Sequence, residues 1–166
     1  MPKIANSRIH LWVQSMFFVR LYFIKLETMK RVVVFGTFDV FHPGHMDFLK
    51  QAKEYGSDLT VVIARNKTVF KIKGRLPKNS ESKRMKKVSD SGLAQEVILG
   101  NEGDKYKIIK DLHPDVICLG YDQKFFVDKL RSKLDEFGLD KTEIIRLKSF
   151  KPEIYKSSKL EKYENN

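Results

Sequence analysis

Cysteine is nearly absent from this chain of 166 residues, in which Cys118 is the only one. A single cysteine excludes an intramolecular disulfide framework, and it also excludes a zinc module built on cysteine pairs. We therefore expect a protein of a reducing, cytoplasmic compartment, with Cys118 as a core thiol. With 42% hydrophobic residues and 12 Phe, the chain is too apolar for intrinsic disorder, and its length predicts one compact domain.

A long uninterrupted hydrophobic run is also missing. The most apolar segment, 11–26, is interrupted by one Gln, one Arg and one Lys, whereas a spanning helix needs about 20 apolar residues with few or no charges. The sequence therefore predicts no stable membrane insertion. Because Met29 stands directly before the first convincing strand, we interpret residues 1–28 as a non-native or disordered extension and residues 29–166 as the domain. A membrane-surface anchor is the alternative for the extension.

Acidic residues are few relative to basic ones, at 21 Asp and Glu against 32 Lys and Arg, which gives a net charge of +11. Most of this imbalance is local, because residues 67–87 contain nine cations and one acid and so carry a net charge of +8. We call 67–87 the basic segment. Its charge indicates an anionic partner, or simply a solvated face. A nucleic-acid-binding module is the less favoured hypothesis, because Phe70 is the only aromatic residue among these cations.

Short apolar segments alternate with segments of helical spacing from Lys30 onward. The predicted strands are 31–35, 59–64, 97–99, 116–119 and 143–147, and the predicted helices are 44–55, 80–91, 104–112, 126–137 and 157–163. Residues 66–79 contain Gly74 and Pro77, and we expect a loop there. Strands separated by helices need crossover connections, so the pattern predicts an α/β fold: a single doubly wound, Rossmann-like domain with a five-stranded parallel sheet. Such folds bind ligands beyond the carboxyl ends of the strands.

The loop that follows the first predicted strand, 36–45, carries the most distinctive motif. It matches neither of the common glycine-rich phosphate loops. Gly36 allows a close backbone approach, and Pro43 with Gly44 opens a helix whose amides and dipole attract anions. His42 and His45 flank that helix end and can donate to phosphate oxygens. A pair of histidines could also be part of a metal site, but no third ligand with a recognisable spacing accompanies it. The setting favours a phosphoryl-transfer site.

This loop, which reads G-T-F-D-x-x-H-P-G-H, resembles the nucleotide-binding element of the HxGH nucleotidylyltransferases, the cytidylyltransferase-like superfamily. Within it the chain is most similar to archaeal-type FAD synthases, which transfer AMP from ATP to FMN. The segments that support this branch are V-I-A-R at 62–65, K-I-K-G-R at 71–75, L-G-Y-D-Q at 119–123 and Y-K-S-S-K at 155–159. The resemblance implies in-line attack of the FMN phosphate on ATP, with Mg²⁺ carried by the triphosphate and no metal held by protein ligands. It also implies no nucleic-acid partner, and similar enzymes often form homodimers.

The resemblance implies a set of site residues. The catalytic residues would be His42, His45 and Lys73. The nucleotide-binding residues would be Gly36, Thr37, Phe38, His42, Pro43, Gly44, His45, Asp122, Ser157 and Ser158. Arg75 and Arg84 would close on the phosphates from the basic segment. Many relatives have an Arg before the paired serines, where this chain has Lys156.

Three assignments remain open at the level of sequence. A cytidylyltransferase that makes a CDP-alcohol, such as CDP-glycerol from CTP and glycerol 3-phosphate, would use the same loop. The Phe125-Phe126 pair fits either helix packing or the edge of an isoalloxazine pocket. Asp39 lies in the motif, but its residue type favours a turn-bonding role.

Overall fold

Five apolar segments form the strands of one sheet in the computed structural model of the protein, which describes residues 16–21, 29–125 and 127–155. The strands are β1 (Arg31–Gly36), β2 (Asp58–Ile63), β3 (Glu96–Leu99), β4 (Val116–Leu119) and β5 (Glu143–Arg146). Each lies within one or two residues of a predicted strand. The short apolar runs therefore locate the whole sheet.

All neighbouring strands are parallel, in the order β3-β2-β1-β4-β5. Strand β1 pairs along its whole length with β2, from Arg31 opposite Asp58 to Gly36 opposite Ile63. The chain moves outward from β1 to β3 and then crosses back to β4 on the other side of β1. The strand order consequently reverses between β1 and β4, as in a doubly wound fold, and the predicted fold class is confirmed.

Helices cover both faces of the sheet. They are α1 (Pro43–Lys53), α2 (Asn66–Lys73), α3 (Glu81–Asp90), α4 (Lys107–Leu112) and α5 (Leu130–Glu136). The first face packs on α1 and α3 through Val32, Val34, Leu49, Ala52, Val88 and Cys118. The second face packs on α4 and α5 through Val33, Ile109, Ile117, Leu130 and Leu134. Burial raises the pKa of the Cys118 thiol to about 12, which fits a core residue.

The expectation of a loop at 66–79 is wrong, because residues Asn66–Lys73 form α2. Only Val69 of this helix is buried, so the sequence shows no helical period. Gly74 ends the helix in the left-handed conformation (φ 69°) and donates its N–H to the Phe70 carbonyl at 2.8 Å. The glycine therefore marks a helix end rather than an irregular loop.

Two other helices begin later than predicted. Helix α4 begins at Lys107, because the Asp104 carboxylate accepts a bond from the Tyr106 amide (2.9 Å) in the preceding turn. Helix α5 begins at Leu130. Residues 16–21 are helical with exposed side chains, and the described part of the chain contains no helix long and apolar enough to cross a membrane. The helix predicted at 157–163 and most of 1–28 lie outside the described residues.

Candidate active site

The turn after β1 is packed tightly around Phe38. This residue has a positive φ of 50°, and its side chain is only 3% exposed. A Cβ atom built on Gly36 would lie 2.5 to 2.9 Å from the Phe38 ring. Position 36 must therefore be glycine, because any Cβ atom there would collide with the Phe38 ring packed against the end of β1.

Asp39 links this loop to the turn that precedes α3. Its carboxylate accepts bonds from the Lys78 amide (2.7 Å) and the Asn79 amide (2.8 Å). Burial alone would raise the pKa of Asp39, but these bonds, the Asn79 side chain and Arg84 outweigh it and lower the pKa below its ordinary value. The turn-bonding role expected for Asp39 agrees with these contacts.

Arg84 is fully buried at the centre of the same loops. Its guanidinium donates to the Thr37 carbonyl (2.7 Å), the Ala64 carbonyl (2.8 Å), the Asn66 side-chain oxygen (2.8 Å) and the Asn79 carbonyl (3.2 Å). These groups belong to the ends of β1 and β2, the start of α2 and the turn before α3. This placement does not fit the phosphate contact that the resemblance implied, because the N–H groups of the guanidinium already donate to protein oxygens.

Helix α1 begins with the two histidines stacked on each other. His42 is the N-cap, and its carbonyl accepts from the amides of His45 (2.9 Å) and Met46 (3.2 Å). The ring centroids of His42 and His45 lie 3.9 Å apart, with 25° between their planes. The His42 side chain makes no capping hydrogen bond to this helix, so the first amides and the positive dipole end lie beside two imidazoles.

Gly44 makes room for this stack. A Cβ atom at position 44 would lie 2.9 Å from Cε1 of His42 and 3.1 Å from Cβ of Tyr155. The Tyr155 ring in turn stacks over His42, with 6.3 Å between centroids and 15° between planes. The segment after β5 thus closes over the helix start, and a larger residue than glycine would push it away.

Both imidazoles are neutral at physiological pH. Burial, the neighbouring His42 and the charge of Lys73 lower the pKa of His45 to about 3, although a bond to the Val40 backbone opposes them. Burial also lowers the pKa of His42. Among the described residues, Nδ1 of His45 is shielded from solvent and has no hydrogen-bond partner. A neutral imidazole still donates one N–H, which suits a phosphate oxygen.

A cleft of about 470 Å³ opens at this point, beyond the carboxyl ends of the strands where their order reverses. Its size fits a nucleotide-sized ligand. The structure brings these predicted residues together along its wall: Gly36, Thr37, Phe38, His42, Gly44, His45, Lys73 and Asp122. Pro43 begins α1 on the exposed side, and Arg75 is exposed outside the wall. Ser157 and Ser158 lie outside the described residues.

The cleft also contains polar residues that sequence reasoning missed. They are Arg65, Thr68, Asn101, Lys105 and Lys148. Arg65 follows β2 and donates to the Gly100 carbonyl at 2.8 Å and to Glu81 at 3.4 Å. Asn101 closely follows β3, and its Nδ2 is buried without a partner in the described part of the chain. The position of Arg65 and Asn101 just beyond strand ends was the available signal, whereas nothing marked Lys105.

The described residues offer no protein cage for a metal ion. No three of their His, Cys, Asp and Glu side chains come together as a possible metal-binding group. Asp39, whose carboxylate borders the cleft, is occupied by backbone amides. This donor set suits a cation that arrives already bound to phosphates better than one held by the protein.

The family follows from a comparison with known proteins. The family model described as cytidylyltransferase-like matches residues 33–162, a range that contains β2 to β5, most of β1 and the residues that line the cleft. This chain belongs to the cytidylyltransferase-like family.

Curated relatives of this cytidylyltransferase-like chain include proteins named FAD synthase. That of Thermoplasma volcanium is 37% identical over 134 residues, covering 81% of this chain and 93% of the relative. That of Thermococcus sibiricus is 41% identical, covering 78% and 88%. That of Archaeoglobus profundus is 45% identical, covering 73% and 76%.

Solved structures give the same fold for this family member. A lipopolysaccharide core biosynthesis protein from Thermoplasma volcanium superposes with a TM-score of 0.68 at 38% identity, covering 74% of this chain and 98% of that one. A protein of unknown function from Archaeoglobus fulgidus superposes with a TM-score of 0.60 at 18% identity, covering 71% and 89%. The second likeness concerns the fold alone.

Proposed function

We propose that this chain is an FMN adenylyltransferase, which converts ATP and FMN into FAD and pyrophosphate. The observation that carries the proposal is the neutral His42–His45 stack on the open start of α1, at the point where the strand order reverses. The similarity to FAD synthases over most of the chain supports the choice of ATP and FMN.

The reaction is a direct displacement at phosphorus. A phosphate oxygen of FMN forms a bond to the α-phosphorus of ATP, and the bond from that phosphorus to the bridging oxygen of pyrophosphate breaks with its electron pair. The FMN phosphate is already anionic near neutral pH, so neither a protein nucleophile nor a dedicated general base is needed. Catalysis then consists of positioning and of stabilising charge on the transferred group.

The described residues divide this work between them. His42, His45 and the first amides of α1 donate hydrogen bonds to oxygens of the α-phosphate, and Lys73 supplies positive charge from the end of α2. Thr37 and Phe38 hold the nucleotide against the end of β1. Asp122, which follows β4, contacts its ribose or base. We assign Ser157 and Ser158 to the β- and γ-phosphates, with Lys156 beside them as a point charge rather than a bidentate fork.

Mg²⁺ belongs to the substrate in this proposal. Bound to the triphosphate, it would supply positive charge for the departing pyrophosphate. Lys148 and Lys73 line the cleft and fit the same anionic groups. We further propose that the enzyme works as a homodimer in a reducing cytoplasm.

The test is the formation of FAD by the purified chain. With ATP, FMN and Mg²⁺ we expect FAD on a chromatogram and an equal amount of pyrophosphate. His45→Ala should lower kcat by about 10²–10³-fold, since it removes one donor to the transferred phosphate. No FAD under any metal or pH condition would reject the proposal, and a fully active His45→Ala enzyme would remove His45 from the mechanism.

A second candidate is a cytidylyltransferase that makes a CDP-alcohol. The description of the family model as cytidylyltransferase-like favours it. The two candidates separate when ATP and CTP are each combined with FMN and with glycerol 3-phosphate. FMN adenylyltransferase activity predicts that ATP with FMN is the fastest pair, and turnover of CTP with glycerol 3-phosphate alone would establish the second candidate.

A further inference from the structure

One side of the cleft is apolar and has no part in the phosphate chemistry described above. We call it the apolar wall and define it by Val62, Ile72, Ile108 and Phe125, all of which border the cleft. Val62 and Ile108 belong to the core of the second face, whereas the His45 ring packs on Phe38, which belongs to the first. The apolar wall therefore lies towards the second face of the sheet, whereas the start of α1 lies towards the first.

Two members of the apolar wall are exposed to the cleft. The side chains of Ile72 and Phe125 are each 39% exposed, and both residues border the cleft. Large apolar groups that face water inside a cleft are typical of a binding surface for an apolar ligand. Ile72 comes from α2 and Phe125 from the segment after β4, so the wall has sides from two separate elements.

Hydrogen-bond donors accompany this wall. Asn101 Nδ2 is buried, borders the cleft and has no partner among the described residues. Lys105 Nζ lies 4.2 Å from the centroid of the Phe125 ring and 5.0 Å from that of the Tyr106 ring. Tyr106 is almost fully buried, so this pair of rings holds the ammonium group at the cleft.

We infer that the apolar wall, with Asn101 and Lys105, is the binding site for the isoalloxazine ring of FMN. The inference rests on the proposed function and assigns one substrate to one side of the cleft. Isoalloxazine is a planar aromatic ring system with an apolar dimethylbenzene end and carbonyl acceptors at the other end. The wall offers matching chemistry: an aromatic and aliphatic surface, an amide donor and a cation.

The assignment also suits the direction of the reaction. In-line displacement brings the acceptor to phosphorus from the side opposite to the leaving group, so the two substrates must approach the imidazoles from different sides. Asp122, Lys148 and Tyr155 come from the segments after β4 and β5, and they leave that half of the cleft to ATP. The apolar wall comes from β2, α2 and α4, together with Phe125, which follows β4 but packs on Lys105 just before α4.

The test compares two phenylalanines that differ only in where they lie. Phe125→Ala removes the ring of the wall, whereas Phe70→Ala removes a ring that is 55% exposed on α2 and does not border the cleft. Loss of one stacking ring should raise the KM for FMN by about 10- to 100-fold, with the KM for ATP within about twofold of wild type. Phe70→Ala should leave both KM values unchanged. Phe125→Trp, which keeps an aromatic surface, should restore most of the affinity for FMN.

Direct binding gives a second readout that does not depend on turnover. Quenching of FMN fluorescence on titration with protein, without ATP, should report a Kd that Phe125→Ala and Asn101→Leu both raise. A mutant that fails to fold would lose ATP binding as well, and Asn101→Leu then provides the same comparison.

The possible outcomes separate this inference from the proposed function. A wild-type enzyme that neither binds FMN nor makes FAD would overturn both. The assignment of the isoalloxazine site alone would be overturned if the wild-type enzyme makes FAD but Phe125→Ala keeps the wild-type KM for FMN. A Phe125→Ala variant that raises the KM for ATP instead would overturn it equally.

Discussion

Arg84 gives the most decisive test of how the catalytic loop is held in place. Its guanidinium makes four hydrogen bonds to protein oxygens in three separate stretches of the chain, and it is completely buried. In Arg84→Met the side chain keeps much of its volume but leaves those oxygens without donors. The Asp39 carboxylate also loses the positive charge that helps to lower its pKa. The variant therefore tests a network and not a single contact.

The expected cost is well below the sum of four separate bonds. Hydrogen bonds to charged groups contribute about 1.5–3 kcal/mol each, but neighbouring bonds in one network are not additive. Removing one partner from a buried charged network typically costs about 3–5 kcal/mol, and we expect Arg84→Met to fall in that range. Because domains are stable by about 5–15 kcal/mol, the variant should remain folded at low temperature with a clearly lower urea midpoint.

Arg84→Lys sharpens the comparison. A lysine ammonium keeps the charge but cannot span the separate oxygens that the planar fork joins, so we expect a loss of about 2 kcal/mol. Lys86→Met is the matched control, since Lys86 lies on the same helix and makes an exposed ion pair with Asp90 (2.9 Å) on the helix surface. That substitution should change stability by less than about 0.5 kcal/mol.

Kinetics distinguish this structural role from direct contact with the nucleotide. If Arg84 acts only through the loops, Arg84→Lys at low temperature should lower the urea midpoint and leave the KM for ATP within a few-fold of wild type. An unchanged midpoint together with a KM raised more than tenfold would refute the reasoning and return Arg84 to the phosphate site. A wild-type midpoint in Arg84→Met would refute it equally.

Three further predictions concern the rest of the chain. The pKa of His45 is about 3 in the folded state and near 6.5 in the unfolded state, so the unfolded state binds the proton first as pH falls. The free energy of unfolding therefore decreases between about pH 6.5 and pH 3, by up to about 1.4 kcal/mol per pH unit. His45→Gln should flatten that acid limb of a urea-midpoint profile; an equally steep limb would exclude His45 as its source. Gly36→Ala should destabilise the fold by about 1–3 kcal/mol and lower turnover, because its methyl group would meet the Phe38 ring, and a wild-type melting temperature would contradict this. Removal of residues 1–28 should leave FAD formation unchanged, and loss of folded protein would show that the extension is part of the domain.

The parts of the site that the sequence predicts correctly are those whose causes are local. Gly36 ends an apolar run, and Pro43 stands at the first position of a helix, so strand, turn and helix start can be read from adjacent residues. The two histidines are close in sequence, and they meet because one turn of helix separates their side chains.

The parts that were missed depend on contacts between distant segments. Helix α2 has one buried residue, Val69, and forms without an amphipathic period. From the sequence alone Arg84 resembles a solvent-facing cation, because its partners are carbonyls that directly follow β1 and β2 and one that precedes α3. Lys105 borders the cleft because it packs on Phe125, which follows a different strand. No single stretch of sequence contains that information.

The neutrality of the histidine stack bears on the origin of any pH dependence in turnover. Two imidazolium ions with centroids 3.9 Å apart would repel each other, and burial adds to that cost, so the stack is stable only when at most one ring is charged. Positive potential then comes from the dipole at the start of α1 and from Lys73. A phosphate monoester such as FMN loses its second proton near pH 6, so its nucleophilic dianion forms in a range where the His45 ring is already neutral. Any acid limb in turnover above pH 6 should therefore follow the FMN phosphate and shift with the acceptor used, while His45→Gln leaves its midpoint in place.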